Sequence, residues 1–306
     1  MRFTLKQLSY FVAAGEAKSI TIASERVHIS QPSISSAISQ LEAEFKVQLF
    51  FRHHAQGLSL TPAGERMLSA ARELLQQGER LADLGHEIAG TIGGTLRVGA
   101  FRTFSPLILP ELWQEFTSAY PDVELEILEA DEAELVAKVG KAEIDIAITY
   151  EQKGVDLHFE QLALLPTYIL LPAAHGLAKS GMLSLRDLAS QPFVLLDLPV
   201  SRDYFRSLFE RRGLTMNVVA RTDQPETVRS LVGSGLGFSL LTARPASLTA
   251  ANGKPLAYVH LDDDHPPMKL GLVTANNIRK PRVLLAFEEY CRKSISTFAI
   301  PGMAPV

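Results

Sequence analysis

The segment Ser19–Phe45, which reads SITIASERVHISQPSISSAISQLEAEF, constrains the fold of this chain most strongly. It predicts two short helices joined by a tight turn at His28-Ile29. The first helix has a set of residues that recur at helical spacing, namely Ile22, Ala23, Arg26 and Val27. Ser30 is a candidate N-cap of the second helix, and Pro32 falls in its first turn, where a missing N–H costs little.

The second of these helices has two contrasting faces. An apolar stripe is formed by Ile34, Ile38, Leu41 and Phe45. The opposite face is small or carries amides, and it consists of Gln31, Ser33, Ser36, Ala37 and Gln40. A helix that is apolar inside and small and polar outside fits against base edges in the major groove of DNA. The alternative is a helical hairpin whose serine-rich face is only solvated.

The flanks of this segment complete a family pattern. The matching stretches, in order, are Phe3–Leu8, Ala23–Ser35, Leu41–Glu42, Leu49–Arg52 and Leu60–Gly64. The pattern resembles the N-terminal winged helix-turn-helix of the LysR-type transcriptional regulators, and weaker matches continue toward the C-terminus. The resemblance implies a dimer-based transcription regulator that binds DNA and responds to a small effector, and not an enzyme. The chain departs from the family in having no Lys or Arg in its second helix.

The residues expected to bind DNA lie on the second helix and on the hairpin that follows it. Val47–Leu60 is expected to form this hairpin, the wing, with Gly57 near its turn. Arg52 on the wing is expected to grip a phosphate. The complete set is Gln31, Pro32, Ser33, Ser36, Ala37, Gln40, Arg52 and His53.

A long helix is predicted after the wing, because Thr61 is a good N-cap and Pro62 suits a first helical position. Four apolar residues recur every seven positions along it, namely Met67, Leu74, Leu81 and Ile88. Such a heptad repeat is typical of a coiled-coil seam, and in the resembled family this linker helix pairs two subunits. The alternative is an amphipathic helix lying on its own domain.

From Thr95 onward, predicted strands and helices alternate, which indicates an α/β domain with a parallel sheet. The resemblance implies a bilobal effector domain with the type-2 periplasmic-binding-protein-like fold. The expected fold class is therefore multidomain: an all-α winged helix-turn-helix head, a long linker helix and a bilobal α/β effector domain. The expected boundaries are 1–61, 62–90 and 91–306, with lobe one at 92–163 plus 268–300 and lobe two at 164–267.

Ligands of open α/β sheets bind outside the carboxyl ends of the strands. Four loops at such ends carry polar side chains or prolines, and together with the resemblance they predict an effector site. Its members are Arg102, Thr103, Ser105, Thr149, Pro199, Ser201, Arg202, Tyr204 and Gln224. The helix starts in this set favour an anion, and its two arginines suit a carboxylate. The alternatives are ordinary helix caps, and arginines that pair with acids such as Asp203.

Other sequence features do not predict a cofactor or a metal. Three glycines follow a helix and open a strand, which is the reverse of a nucleotide-binding loop, and they are Gly233, Gly235 and Gly237. Neither His53-His54 nor Asp262–His265 has a recognised metal-ligand spacing. Cys291 is the single cysteine, so the chain forms no internal disulfide.

Charge and hydropathy limit the possible location, partners and function of the protein. The net charge is −4, yet the stretch through Thr61 holds six Lys and Arg against four Asp and Glu, which fits a DNA-facing head on an acidic body. No secretory leader or run of 18 apolar residues is present, so the expected location is the cytoplasm. The expected partners are double-stranded DNA, a small effector, a second copy in a homodimer or homotetramer, and RNA polymerase, but no membrane. The rival functions are an enzyme, which would need a nucleophile or cofactor motif, and a transport-linked solute-binding protein, which would need a signal peptide.

Overall fold

The structure is a computed structural model that describes residues 2–53, 57–152, 154–262, 265–276 and 280–304. The chain divides into two compact units, Met1–Thr91 and Ile92–Val306. Within the described residues, we find no helix with the length and the apolar character that a membrane crossing requires.

In the residues that the structure describes, the first unit contains four helices and one hairpin. In chain order they are α1 Leu5–Ala17, α2 Ile20–Arg26, α3 Gln31–Phe45, β1 Phe50–His53, β2 Gly57–Leu60 and α4 Pro62–Ala89. The turn between α2 and α3 is tight because His28 adopts a left-handed conformation with φ at 51°. Ser19 caps α2 and Ser30 caps α3 through their side-chain oxygens.

The core of the first unit is built where α3 crosses α1. Ile34, Ile38 and Leu41 of α3 are buried together with Phe11 of α1. Phe11 also meets Phe50 of the wing edge-on, with ring centroids 5.6 Å apart. This packing fixes which face of α3 remains exposed to a partner.

The long helix α4 begins as predicted, with the Thr61 hydroxyl accepting a hydrogen bond from the Gly64 N–H at 2.9 Å. Its first turns pack on α1, where Arg72 and Glu16 form an ion pair at 2.9 Å. Leu68 is buried in the same core. The N-terminal part of α4 therefore belongs to the head.

The second unit alternates strands and helices in two lobes. Lobe one contains β3 Gly94–Phe101, α5 Ser105–Ala119, β4 Val123–Ala130, α6 Glu132–Gly140, β5 Ile146–Tyr150 and β6 Leu157–Leu165. Lobe two contains β7 Tyr168–Pro172, β8 Met182–Leu183, β9 Phe193–Leu196, α7 Pro199–Glu210, β10 Val218–Thr222, α8 Pro225–Gly233, β11 Ser239–Leu241 and β12 Leu256–Leu261. The chain then returns to lobe one with β13 Met268–Ala275 and α9 Arg282–Ser294.

The sheet of lobe one has the strand order β4-β3-β5-β13-β6. β3 runs parallel to β4 and β5, as the sequence predicts, whereas β13 runs antiparallel to β5 and β6. Lobe two holds a four-stranded sheet, β11-β7-β12-β8, and a parallel pair, β9 and β10. Two connections join the lobes, one from β6 to β7 and one from β12 to β13, so lobe two is inserted between strands of lobe one.

Candidate DNA-binding and ligand-binding sites

The outer face of α3 presents most of the residues that the sequence predicts to bind DNA. Gln31, Pro32, Ser33, Ser36 and Gln40 are exposed. The exposed start of this face is ordered by its cap, because the Ser30 and Ser33 hydroxyls lie 2.8 Å apart. The face therefore combines small polar side chains with the amides of Gln31 and Gln40.

Ala37 does not belong to this face, and its assignment to DNA binding was wrong. Its side chain is 6% exposed and lies among the buried residues of α3. Ala37 follows Ile34 by three residues and precedes Leu41 by four, and residues with these spacings share one side of a helix. Its small size lets α3 pack closely against the head.

Gln40 is held in place by a residue that sequence reasoning did not assign to the site. The Gln7 amide donates a hydrogen bond to Gln40 Oε1 at 2.6 Å, and Gln40 Nε2 in turn donates to the Ser36 hydroxyl at 3.4 Å. Gln7 also closes a capping box with Thr4 at the start of α1. The position of Gln7 in the Phe3–Leu8 stretch of the family pattern was the available signal.

The wing residues Arg52 and His53 lie on β1, where their backbones pair with Leu58 and Gly57 of β2. Gly57 has φ at 89°, a conformation that favours glycine. The Leu58 N–H donates to the Lys18 carbonyl at 3.0 Å, which anchors the wing to the end of α1. His54 lies outside the described residues.

The heptad residues of α4 fall into two groups. Met67 and Leu74 are partly buried against the core of the head. Leu81 and Ile88 are 71% and 79% exposed, and Leu84 between them is 43% exposed. The head therefore covers the first half of the predicted seam, and the second half presents its apolar side chains to solvent.

In the second unit, three loops of lobe one meet at one edge of the sheet. The register pairs Phe101 of β3 with Ala130 of β4 and Ala100 of β3 with Ile148 of β5. Residues 102–105, 131–132 and 149–150 therefore lie side by side, and we call them the cleft face. Contacts between this face and lobe two include Arg102 with Asp223, and the Tyr150 hydroxyl with the Thr242 hydroxyl at 2.5 Å.

Among the residues that the structure describes, three buried polar atoms of the cleft face have no hydrogen-bond partner. They are Arg102 Nε, Thr103 Oγ1 and Thr149 Oγ1. Leaving such a group unsatisfied costs about 1–3 kcal/mol, so a polar ligand that reached them would be stabilised by forming the missing hydrogen bonds. Arg102 Nη1 lies 3.6 Å from Asp223 Oδ2, which is longer than a good charge-assisted hydrogen bond.

Two serines of the predicted effector site lie inside helices and do not cap them. Phe104, not Ser105, is the N-cap of α5, and the buried Ser105 hydroxyl donates to the Glu129 carboxylate. Helix α7 starts at Pro199, so the buried Ser201 lies inside its first turn. In both helices a proline at an early position defines the start, and the nearby serine has no capping role.

Gln224 does occupy the N-cap position of α8, but its side chain does not cap the helix. Its amide instead donates to Asp223 Oδ1 at 3.3 Å. It is exposed, and it lies beside the residue that contacts Arg102.

Arg202 is not available to grip a ligand carboxylate, because it binds acids of its own lobe. Its guanidinium lies 2.8 Å from Asp197 and 3.4 Å from Asp203. The hydrogen bond to Asp197 is the main reason that the pKa of Arg202 is raised above its usual value. The alternative pairing with nearby acids is therefore the one observed.

Tyr204 contacts both connections between the lobes. Its hydroxyl lies 2.9 Å from the Thr167 hydroxyl and donates to the Pro266 carbonyl at 3.2 Å. Burial raises the pKa of Tyr204, so it remains a neutral hydrogen-bonding group. It lies at the two connections between the lobes, whereas the sequence predicted direct ligand contact.

Two further groups of the cleft face were missed from the sequence. Glu132 is 3% exposed at the start of α6, and burial, with a smaller contribution from Asp131, raises its pKa to about 7. Burial also raises the pKa of the Tyr150 hydroxyl. An acidic first turn after a strand is common, so only the fold distinguishes Glu132 from a solvated residue.

The structure offers no metal centre in the residues that it describes, where no group of three His, Cys, Asp or Glu could hold an ion. The Asp262–His265 run lies partly outside them. Cys291 is buried on α9, and burial raises its pKa, so its thiol is held in the unreactive protonated form.

Comparison with known proteins identifies both units. Residues 5–65 match the family described as bacterial regulatory helix-turn-helix protein, lysR family, and residues 89–296 match the LysR substrate binding domain. The uncharacterized HTH-type transcriptional regulator YvbU of Bacillus subtilis is 30% identical over 243 residues, which cover 78% of this chain and 81% of YvbU.

Solved structures share the architecture along nearly the whole chain. HinK, a LysR family transcriptional regulator from Pseudomonas aeruginosa, is 38% identical with a TM-score of 0.65, and the match covers 96% of this chain and 99% of HinK. Full-length CbnR in complex with its target DNA has a TM-score of 0.66 at 22% identity, covering 95% of this chain and 99% of CbnR. At that identity, the likeness to CbnR shows the fold alone.

Proposed function

The chain belongs to the LysR family of transcriptional regulators, and we propose that it acts as a dimer whose DNA binding is controlled by a small organic anion held at the cleft face. It is a DNA-binding regulator and not an enzyme. Assembly of dimers into a tetramer, contact with RNA polymerase and a cytoplasmic location belong to the same proposal.

The outer face of α3 supports the DNA-binding part of the proposal. Gln31, Ser33, Ser36 and Gln40 offer amides and hydroxyls that hydrogen-bond to base edges. Because α3 carries no Lys or Arg, phosphate binding falls to other residues, of which Arg52 on the wing is our candidate. In this proposal α3 supplies specificity and the wing supplies sequence-independent affinity.

The C-terminal half of α4 supports the dimer. Leu81, Leu84 and Ile88 are exposed within one helix, and burying such side chains against a second copy removes apolar surface from water. The seven-residue spacing from Leu81 to Ile88 suits a coiled-coil seam. Two heads would then face two half-sites on the DNA.

The unsatisfied polar atoms of the cleft face are the observation that carries the ligand-binding proposal. Arg102 Nε is a cationic donor, and Thr103 Oγ1 and Thr149 Oγ1 are neutral groups beside it. A carboxylate has two acceptor oxygens and matches a guanidinium in a two-point arrangement. Arg202 contributes indirectly, by ordering the start of α7 through Asp197.

The test is a thermal-shift screen of small organic acids, amines and neutral metabolites on the full chain. We expect carboxylates to dominate the hits, and Arg102→Gln and Thr149→Val to reduce the shifts. Arg206→Gln is the matched control, since Arg206 lies on α7 with a half-exposed side chain. Hits that carry no carboxylate, or variants that respond like the parent protein, would contradict an anion site at the cleft face.

A further inference from the structure

Glu132 and Glu288 are two buried carboxylates of the second unit in very different surroundings. Glu288 is 2% exposed and contacts the cations of Lys280 and Arg292. Glu132 is 3% exposed, and in the part of the chain that the structure describes it forms neither a hydrogen bond nor an ion pair. Buried carboxylates are normally paired, because an unpaired charge in a poorly solvated place is costly. Glu288 is therefore paired with cations of the protein, whereas Glu132 has no such partner among the described residues.

A structural role as a helix cap does not explain Glu132. The cap of α6 is Asp131, whose carboxylate accepts a hydrogen bond from the Glu134 N–H at 2.9 Å. Proximity to a helix N-terminus favours the ionised form of a carboxylate, yet burial outweighs it here and holds the pKa of Glu132 near 7. The fold thus retains a buried acid that neither caps its helix nor pairs with a cation.

Glu132 lies on the same edge of the sheet as the unsatisfied groups of the ligand site. The backbone N–H of Arg102 donates a hydrogen bond to the backbone carbonyl of Ala130 at 3.2 Å. This contact places the loop after β3 directly beside the start of α6. Glu132 also acts electrostatically on Tyr150, whose hydroxyl reaches Thr242 of lobe two. A ligand between the lobes therefore meets a guanidinium from one loop and a carboxyl group from the next.

We propose that Glu132 is a ligand-binding residue, and that the effector is a small molecule carrying both a carboxylate for Arg102 and a protonated nitrogen for Glu132. This inference rests on the proposed function, because it uses the same cleft face and the same arginine. The protonated nitrogen supplies the missing partner of Glu132 and forms a charge-assisted hydrogen bond in a poorly solvated site. A simple carboxylic acid would satisfy Arg102 and leave Glu132 unpaired.

The proposal makes ligand affinity depend on pH. Asp131, the N-cap of α6, is the charged group that adds to the effect of burial on Glu132, and Glu132 in turn acts on Tyr150 of β5. The cations of the other two strands packed on α6 have acidic partners: Arg97 of β3 pairs with Glu126 at 3.2 Å, and Lys269 of β13 with Glu151 at 2.9 Å. As pH rises from about 6 to 8, Glu132 ionises and affinity for an amine-bearing ligand should increase about tenfold.

The experiment compares matched pairs of compounds that differ only in the amino group. Suitable probes are β-alanine with propionate, 4-aminobutyrate with butyrate, and phenylalanine with 3-phenylpropionate, measured by thermal shift and titration calorimetry on the full chain. We expect at least one amino acid to bind about tenfold or more tightly than its partner. Glu132→Gln should remove that advantage without weakening the binding of the simple acid. Glu134→Gln is the control, since Glu134 is exposed on the same helix.

The possible outcomes separate this inference from the proposed function. Equal binding of both members of each pair, unaffected by Glu132→Gln, would overturn the inference and leave the anion site standing. The absence of binding by any compound that carries a carboxylate would overturn the anion site as well. Loss of all binding in Glu132→Gln, including that of simple acids, would also overturn the inference, because it would show a general role in the fold of the site.

Discussion

Arg102 and Asp223 face each other from different lobes, with the guanidinium Nη1 3.6 Å from the carboxylate Oδ2. The side chains are 30% and 56% exposed, so this ion pair contributes at most about 1 kcal/mol. It places a carboxylate of the protein where the proposed ligand would place its own. In the proposed site, Asp223 would compete with the ligand for Arg102 and would help to hold the lobes together in its absence.

Removing this competitor should strengthen ligand binding. We predict that Asp223→Asn raises the affinity for a carboxylate ligand up to about fivefold, since that ratio corresponds to about 1 kcal/mol. Titration calorimetry with the best ligand from the screen measures it. Asp203→Asn is the control, because Asp203 pairs with Arg202 and Arg206 and not with Arg102. Unchanged or weaker binding in Asp223→Asn would show that Asp223 does not compete.

The contact between Gln7 and Gln40 makes a specific prediction about DNA recognition. Gln40→Ala should relax the preference at one base position by about 1–3 kcal/mol. Gln7→Ala should reduce the base preference at the same position by a smaller amount, because Gln40 loses the hydrogen bond that orients it. Binding to a library of site variants measures both effects, with Gln114→Ala on the exposed surface of α5 as control. Relaxation at different positions would contradict the coupling of the two glutamines.

Arg52 should behave differently from the glutamines. Arg52→Ala is predicted to weaken binding to all DNA sequences by a similar factor. It should also reduce the slope of log affinity against log salt concentration by about one counterion. Titrations on specific and unrelated DNA between low and moderate salt measure this. Loss of affinity for one sequence only would assign Arg52 to base readout.

The exposed end of α4 allows the dimer to be tested without damaging the head. Leu81→Glu combined with Ile88→Glu should convert the protein to a monomer, because the new carboxylates would repel each other across the seam. The head should stay folded, since both residues are exposed, whereas Leu74 contributes to its core. Sedimentation measures the mass, and Ser69→Glu, on another exposed side of α4, is the control. A double variant that remains a dimer with full DNA affinity would exclude this helix as the pairing element.

From the raised pKa of Glu132 we predict how the free energy of unfolding of the ligand-free protein depends on pH. Its pKa is raised from 4.5 to about 7 in the folded protein, so the folded state holds the proton more tightly than the unfolded state. Its contribution is therefore favourable at low pH and is lost as pH rises from about 4.5 to 7, by at most about 3 kcal/mol. Glu132→Gln should remove this loss and be more stable than the parent above pH 7. Denaturant unfolding at pH 5 and pH 8 measures the free energy of unfolding of the parent and of Glu132→Gln. The same change between the two pH values in both proteins would contradict the prediction.

The sequence predicted those features that depend on local signals. The spacing of Ile34, Ile38 and Leu41 located the buried face of α3, and Thr61 with Pro62 located the start of α4. The alternation of strands and helices correctly predicted parallel pairing around β3, because a strand–helix–strand connection favours parallel strands.

The sequence could not predict contacts between distant elements. Arg102 meets Asp223 only because the two lobes face each other. Ala37 looked like a surface residue because alanine is compatible with both faces of a helix. The burial of Glu132 depends on packing against neighbouring strands, which an acidic residue does not reveal.

The most direct test of ligand-controlled DNA binding is a gel shift of the full chain on the DNA upstream of its own gene, with and without the best carboxylate ligand. We predict a salt-sensitive, sequence-dependent shift whose affinity or mobility changes with ligand in the parent protein, and which Arg102→Gln retains without the response to ligand. Binding that ignores sequence, or a response to ligand that is equal in the parent and in Arg102→Gln, would contradict the account.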